Sequence, residues 1–245
     1  MVGPPLYNVQ VLLPYAVHLE PFELHRRMRE WRCDVAMVTG NFEMCAFEIP
    51  TGDLPLHVRI FTAPVDAYSS GLNEALSWSP AWPACRDAIL ECHSSVVVAM
   101  MARRPLNHAA MLLAFQMVLD TFLLWLDDAA REKSVLYWIP AQQVLPIDRY
   151  RSLRMELGPC GPAVNVRIAN ATGRPGELVA DTVGLSPLGL PDLQTVFSDR
   201  DPKDVAFQLL LAARRVFVGD RLDCTWFEDE ARFPPERDAL TLQLD

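Results

Sequence analysis

The run from Ala109 to Leu126 is the longest apolar segment of the chain, and it constrains everything around it. Gln116, Asp120 and Thr121 interrupt it, a polar load that a membrane-spanning helix rarely carries. It reads as the central buried helix of a soluble domain. Just upstream, Val96-Val97-Val98-Ala99-Met100-Met101 is apolar on both faces, the pattern of a strand inside a sheet. A buried helix next to a central strand implies a layered domain, with helices packed on a sheet.

The flanking sequence extends that reading. Tyr7–Pro14 alternates as a first strand, and Glu20-Pro21 opens a helix to about Trp31, with proline in its first turn. Short strands are expected at Asp34–Thr39, Phe42–Ile49 and Leu56–Ala63, separated by Gly40-Asn41 and Thr51-Gly52-Asp53. Asp66–Cys92 is broken by Pro80 and Pro83 into two helical pieces. The long helix is expected from Pro105 to about Ala130, and Val135–Pro140 as another strand. A short helix follows at Pro146–Leu157. Pro162–Ala169 and Glu177–Val183 form a hairpin, Asp192–Phe197 is a strand, and Asp201-Pro202 starts a helix to Val218 with Val205, Leu209, Ala212 and Val216 on one face. Leu222–Glu228 and Ala239–Leu244 read as final short strands. The fold class is α+β, a mixed or antiparallel sheet with helices packed on it. Residues 1–245 form one domain, and a seam at 103/104 would divide it into halves 1–103 and 104–245 without a flexible linker.

With 245 residues, 51% of them hydrophobic, the chain can bury a real core. Its formal net charge of −9 argues against a binder of nucleic-acid backbone, which needs a basic stripe, and is compatible with a basic protein partner. None of the six cysteines belongs to a CxxC pair, so reduced thiols in a cytoplasmic protein are the expectation. Cys85 and Cys92, seven residues apart on an expected helix, share a face. Met1–Pro5 has neither the basic region nor the apolar run of a secretion signal.

Chemistry is sparse in the sequence. There is no phosphate-cradling glycine loop and no HExxH, and no cofactor or metal is expected. His18, Glu20, Glu23 and His25 cluster at the first helix but read as a solvated face. Asp127-Asp128 and Glu228-Asp229-Glu230 sit at element ends, where solvated charge is the default. Gly184-Leu185-Ser186-Pro187-Leu188-Gly189 approaches a nucleophile elbow, yet its second glycine comes one residue late and Pro187 has no N–H to donate to an oxyanion. An enzyme reading would rest on His57 or His93 beside a carboxylate.

Several ordered segments resemble a bacterial family, domain of unknown function 4261, over roughly residues 55 to 230. They are Ala63-Pro64-Val65 with the following Trp82 region, His93-Ser94-Ser95-Val96-Val97-Val98, and Leu136-Tyr137-Trp138. The last is Thr182–Leu193, which is similar to the family's Thr-x-Gly-Leu-x-x-Phe-Gly-x-x-Glu pattern, with Leu188 in place of Phe and Asp192 in place of Glu. The resemblance implies an α+β fold and a place beside toxin or type VI secretion genes. It points to a non-enzymatic immunity protein that binds the basic surface of a cognate effector and occludes its active site. Neither nucleic acid nor membrane is an expected partner. Trp78, Trp82, Glu228, Asp229 and Glu230 are the candidate contact residues, as aromatic anchors and acidic groups. A structural or adaptor component of a secretion apparatus is the third reading.

Overall fold

The computed structural model describes residues 6–31, 34–50, 55–66, 69–78, 82–101, 107–171, 174–220 and 239–241. The chain divides into two compact units, Met1–Arg151 and Ser152–Asp245. The 103/104 seam allowed by the sequence lies outside the described residues.

The first unit is built on a seven-stranded sheet, every neighbouring pair antiparallel. Its strands are β1 (Leu6–Leu13), β2 (Ala36–Gly40), β3 (Met44–Pro50), β4 (Pro55–Ala63), β5 (Ser94–Met101), β6 (Val135–Trp138) and β7 (Gln143–Pro146), in the order β2-β3-β4-β5-β1-β6-β7. Register aligns Val9, Val98, Ile60 and Cys45 across one face, and Tyr7, Met100, Val58 and Phe47 in the next row. Helices α1 (Pro21–Trp31) and α4 (His108–Trp125) pack on that face. Phe115 of α4 meets Tyr7 and Trp138 edge-on, with ring centroids 5.1 and 6.0 Å away. The Trp138 indole Nε1–H donates to Tyr7 Oη at 2.7 Å, so a fully buried tryptophan keeps a partner for its one polar atom.

α4 has the length and hydropathy to cross a membrane, but more than half of it is buried in the protein, as expected for a central core helix. The long helix expected to reach Ala130 is instead two. Leu126 turns extended, and Asp127 caps a second helix, α5 (Asp128–Lys133), by accepting from Ala130 N at 2.8 Å. The apolar pattern runs across that junction, which is why periodicity alone does not reveal it.

The second unit holds β8 (Asn165–Asn170), β9 (Leu178–Val183) and β10 (Asp192–Phe197), antiparallel in sequence order, and β11 (Ala239–Thr241), parallel to β10. Helix α7 (Pro202–Val218) packs on β8–β10 through Val205, Leu209, Ala213 and Phe217. The expected stripe of Ala212 and Val216 lies beside this face, half-buried. Asp201 caps α7 and Gly219 ends it at φ +86°, the left-handed geometry a glycine accepts. Helix α6 (Ile147–Leu157) carries the boundary between the units. Of the two final strands read from the sequence, Leu222–Glu228 lies outside the described residues.

Candidate functional site

The opposite face of the seven-stranded sheet is capped at its β6–β7 end by two short helices, α2 (Ser70–Ser77) and α3 (Cys85–Leu90). Ser69 caps α2, and Gly71 brings that helix against Tyr137, whose hydroxyl would stand 3.0 Å from an added Cβ. Leu72 and Ala75 of α2, Cys85 and Ile89 of α3, and Cys92 form one buried cluster with Leu12, Val135, Tyr137 and Val144. Cys85 and Cys92 lie in the same cluster, but not on one helix as their spacing suggests, because α3 ends at Leu90 and Cys92 follows its cap. Burial pushes the Cys92 thiol up to about 11 and raises that of Cys85, which keeps both as inert thiols at neutral pH.

The outward side of this cap is acidic. Residues 65–93 contain Asp66, Glu74, Asp87 and Glu91 against Arg86 alone, a formal charge of −3. Glu74, Asp87 and Glu91 are exposed, and the Glu74 charge is near enough to add to the burial that raises the Tyr137 pKa. Leu90 is 48% exposed. Trp78 ends α2, its N–H donating to Ala75 O at 3.2 Å, and is half-buried. Trp82 is half-buried against the cluster and so anchors the cap as well as reaching its surface. Of the two predicted tryptophans, Trp78 thus closes α2 and Trp82 stands just ahead of α3, both within the acidic segment 65–93. Glu228, Asp229 and Glu230 lie outside the described residues.

The candidate histidines separate. His57 Nδ1 is 3.3 Å from Glu48 Oε1, a cross-strand pair fixed by the β3–β4 register, with side chains 25% and 38% exposed. Arg59 follows on the same face of β4 and is exposed. His93 is exposed, and its backbone N–H donates to Leu13 O. The His18–His25 cluster is engaged otherwise: Glu23 pairs with Arg26 and Arg27, His25 contacts Val35 O and stacks on Phe47, and His18 meets the Phe42 ring. Among the described residues no group of His, Cys, Asp or Glu could hold a metal.

The Gly184–Leu193 segment is a closed turn. Asp192, 2% exposed, accepts from Leu185 N at 3.1 Å and from Thr182 Oγ1 at 3.4 Å, while Leu193 N donates to Thr182 Oγ1 at 2.7 Å. Ser186 starts a 3-10 turn and Gly189 leaves it at φ +76°. Asp192 thus holds two strands and their connection together, which is architecture and not nucleophile activation.

No family model, curated protein or solved structure matches this chain.

Proposed function

We propose that this chain is a non-enzymatic, immunity-type binding protein that occludes a basic surface of a cognate effector. The observation that carries the reading is the α2–α3 segment, which has a formal charge of −3 over residues 65–93, exposed Glu74, Asp87 and Glu91, two half-buried tryptophans and an exposed leucine. Large aromatic side chains at a surface supply contact area, and charge of one sign steers a partner of the other. The overall charge of −9 and the likeness of Thr182–Leu193 to the immunity-associated family support the same reading.

The test is co-expression with the product of the adjacent gene. The wild-type chain co-purifies with it and rescues growth. Reversing Glu74, Asp87 and Glu91 to lysine weakens the complex by more than about tenfold and abolishes rescue, because like charges then meet. Absence of both complex and rescue sinks the reading. The His57–Glu48 pair favours a second reading, an enzyme working on the open sheet face beside Arg59. Protection that His57→Ala abolishes, with the complex intact, would favour it.

A further inference from the structure

Helix α7 has a second seam, on the side away from its own sheet. Asp204, Phe207, Leu211, Arg214 and Val218 follow one another at spacings of three, four, three and four residues, the repeat that keeps side chains on one line when two helices lie together. All five are exposed. Phe207 is 54%, Leu211 37% and Val218 62% accessible, although each lies in a well-formed helix whose opposite face is buried. An ordinary surface helix places polar groups there. Here the middle of the seam is apolar, and Asp204 and Arg214 flank it with opposite charge.

That order of residues is self-complementary. Laid antiparallel on a second copy of itself, about a two-fold axis at the level of Leu209, the seam sets Asp204 opposite Arg214 and Phe207 opposite Leu211, each pair occurring twice. Two apolar layers are then flanked by two ion pairs, and the two helix dipoles oppose each other favourably. A parallel arrangement would stack Asp204 on Asp204 and Arg214 on Arg214. We infer that the chain forms a two-fold homodimer through antiparallel α7 helices, with Asp204, Phe207, Leu211 and Arg214 as the contact. The inference is independent of the proposed effector-binding cap.

A single helix pair buries less than the roughly 1,200 Å² of a standard interface, so the dimer is of modest affinity, with a Kd of about 10 µM. Sedimentation of the full chain across that concentration range reads it directly. Leu211→Glu places a charge against Phe207 of the other copy and raises Kd more than about tenfold, with the circular dichroism of the monomer unchanged because Leu211 is not in the core. Asp204→Arg and Arg214→Asp each replace two attractive pairs by two repulsive ones and weaken the dimer by about tenfold. Mixing those two variants restores a heterodimer, since every pair is again attractive. A wild-type chain that stays monomeric well above that concentration overturns the inference and leaves the seam to a different helix. A dimer indifferent to Leu211→Glu, or variants that fail to rescue each other, overturns it as well.

Discussion

The two sheets are locked by opposite means. In the first unit the centre is aromatic: Tyr7, Phe115, Trp138 and Tyr150 touch in sequence, Trp138 and Tyr150 stacked at 5.9 Å, with one internal hydrogen bond at Trp138 and one from Tyr150 Oη to Asp120. In the second, the register partners Arg167 of β8 and Asp181 of β9 form a buried two-pronged ion pair, its first bond 3.0 Å long, with side chains 9% and 10% exposed. Burying rings is favourable in any register that keeps them inside. Burying an ion pair is favourable only when both charges arrive together, so the pair penalises every strand register that separates them. The larger unit has apolar area enough to define its core, and the smaller one adds a polar condition on alignment.

The strongest way to break this contrast is to remove one charge. Arg167→Ala leaves Asp181 in a buried setting and destabilises the protein by about 3–5 kcal/mol, measured by denaturant unfolding, whereas Arg167→Met with Asp181→Leu costs far less or nothing. Near-equal losses would mean that solvent reaches the pair. Phe115→Ala comes next, at about 3–5 kcal/mol for a fully buried ring, with Trp138→Phe at about 1 kcal/mol for the lost indole bond. A Trp138→Phe cost as large as that of Phe115→Ala would show a polar contribution hidden in the aromatic centre.

The smallest effect separates buried from solvated charge. On α1 the Arg26 and Arg27 guanidinium groups pull the Glu23 carboxyl down to about 2. Because the folded value lies below the unfolded one, the stabilisation is complete above the ordinary carboxylate range and fades as pH falls from about 4.5 toward 2. These groups lie at the surface, Arg26 exposed and Glu23 and Arg27 part-exposed, so salt screens them, and Glu23→Gln shifts the melting temperature little. A large shift would put this surface network on a level with Arg167–Asp181.

Periodicity made most of the architecture readable. The two-sided run at 96–101 is a strand of the sheet interior, the apolar run behind it is a core helix, and Asp201-Pro202 and Gly219 mark the ends of α7. Strand β7 escaped because four residues between a 3-10 turn and a helix leave no measurable alternation. The end of α4 escaped because a capping aspartate inside an apolar run looks like one more interruption. The α2–α3 surface was half legible: Trp78 and Trp82 stand out, but the exposure of Glu74, Asp87 and Glu91 depends on which side meets β6 and β7. Cross-strand partners such as Glu48–His57 and Arg167–Asp181 follow from register, which no single strand encodes. The outer seam of α7 was spelled in the spacing, overshadowed by the stronger stripe that meets the sheet.

The position of β1 has a consequence for how the molecule is made. It lies between β5 and β6, and its contacts span long stretches of chain: Gln10 bonds Ser95 across 85 residues and Tyr7 bonds Trp138 across 131. On the ribosome β1 therefore emerges well before either neighbour exists, with Val9, Val11, Leu12 and Leu13 waiting for cover. Closure of the sheet is a late, long-range event, and the nascent β1 segment is where a holding chaperone has most to protect.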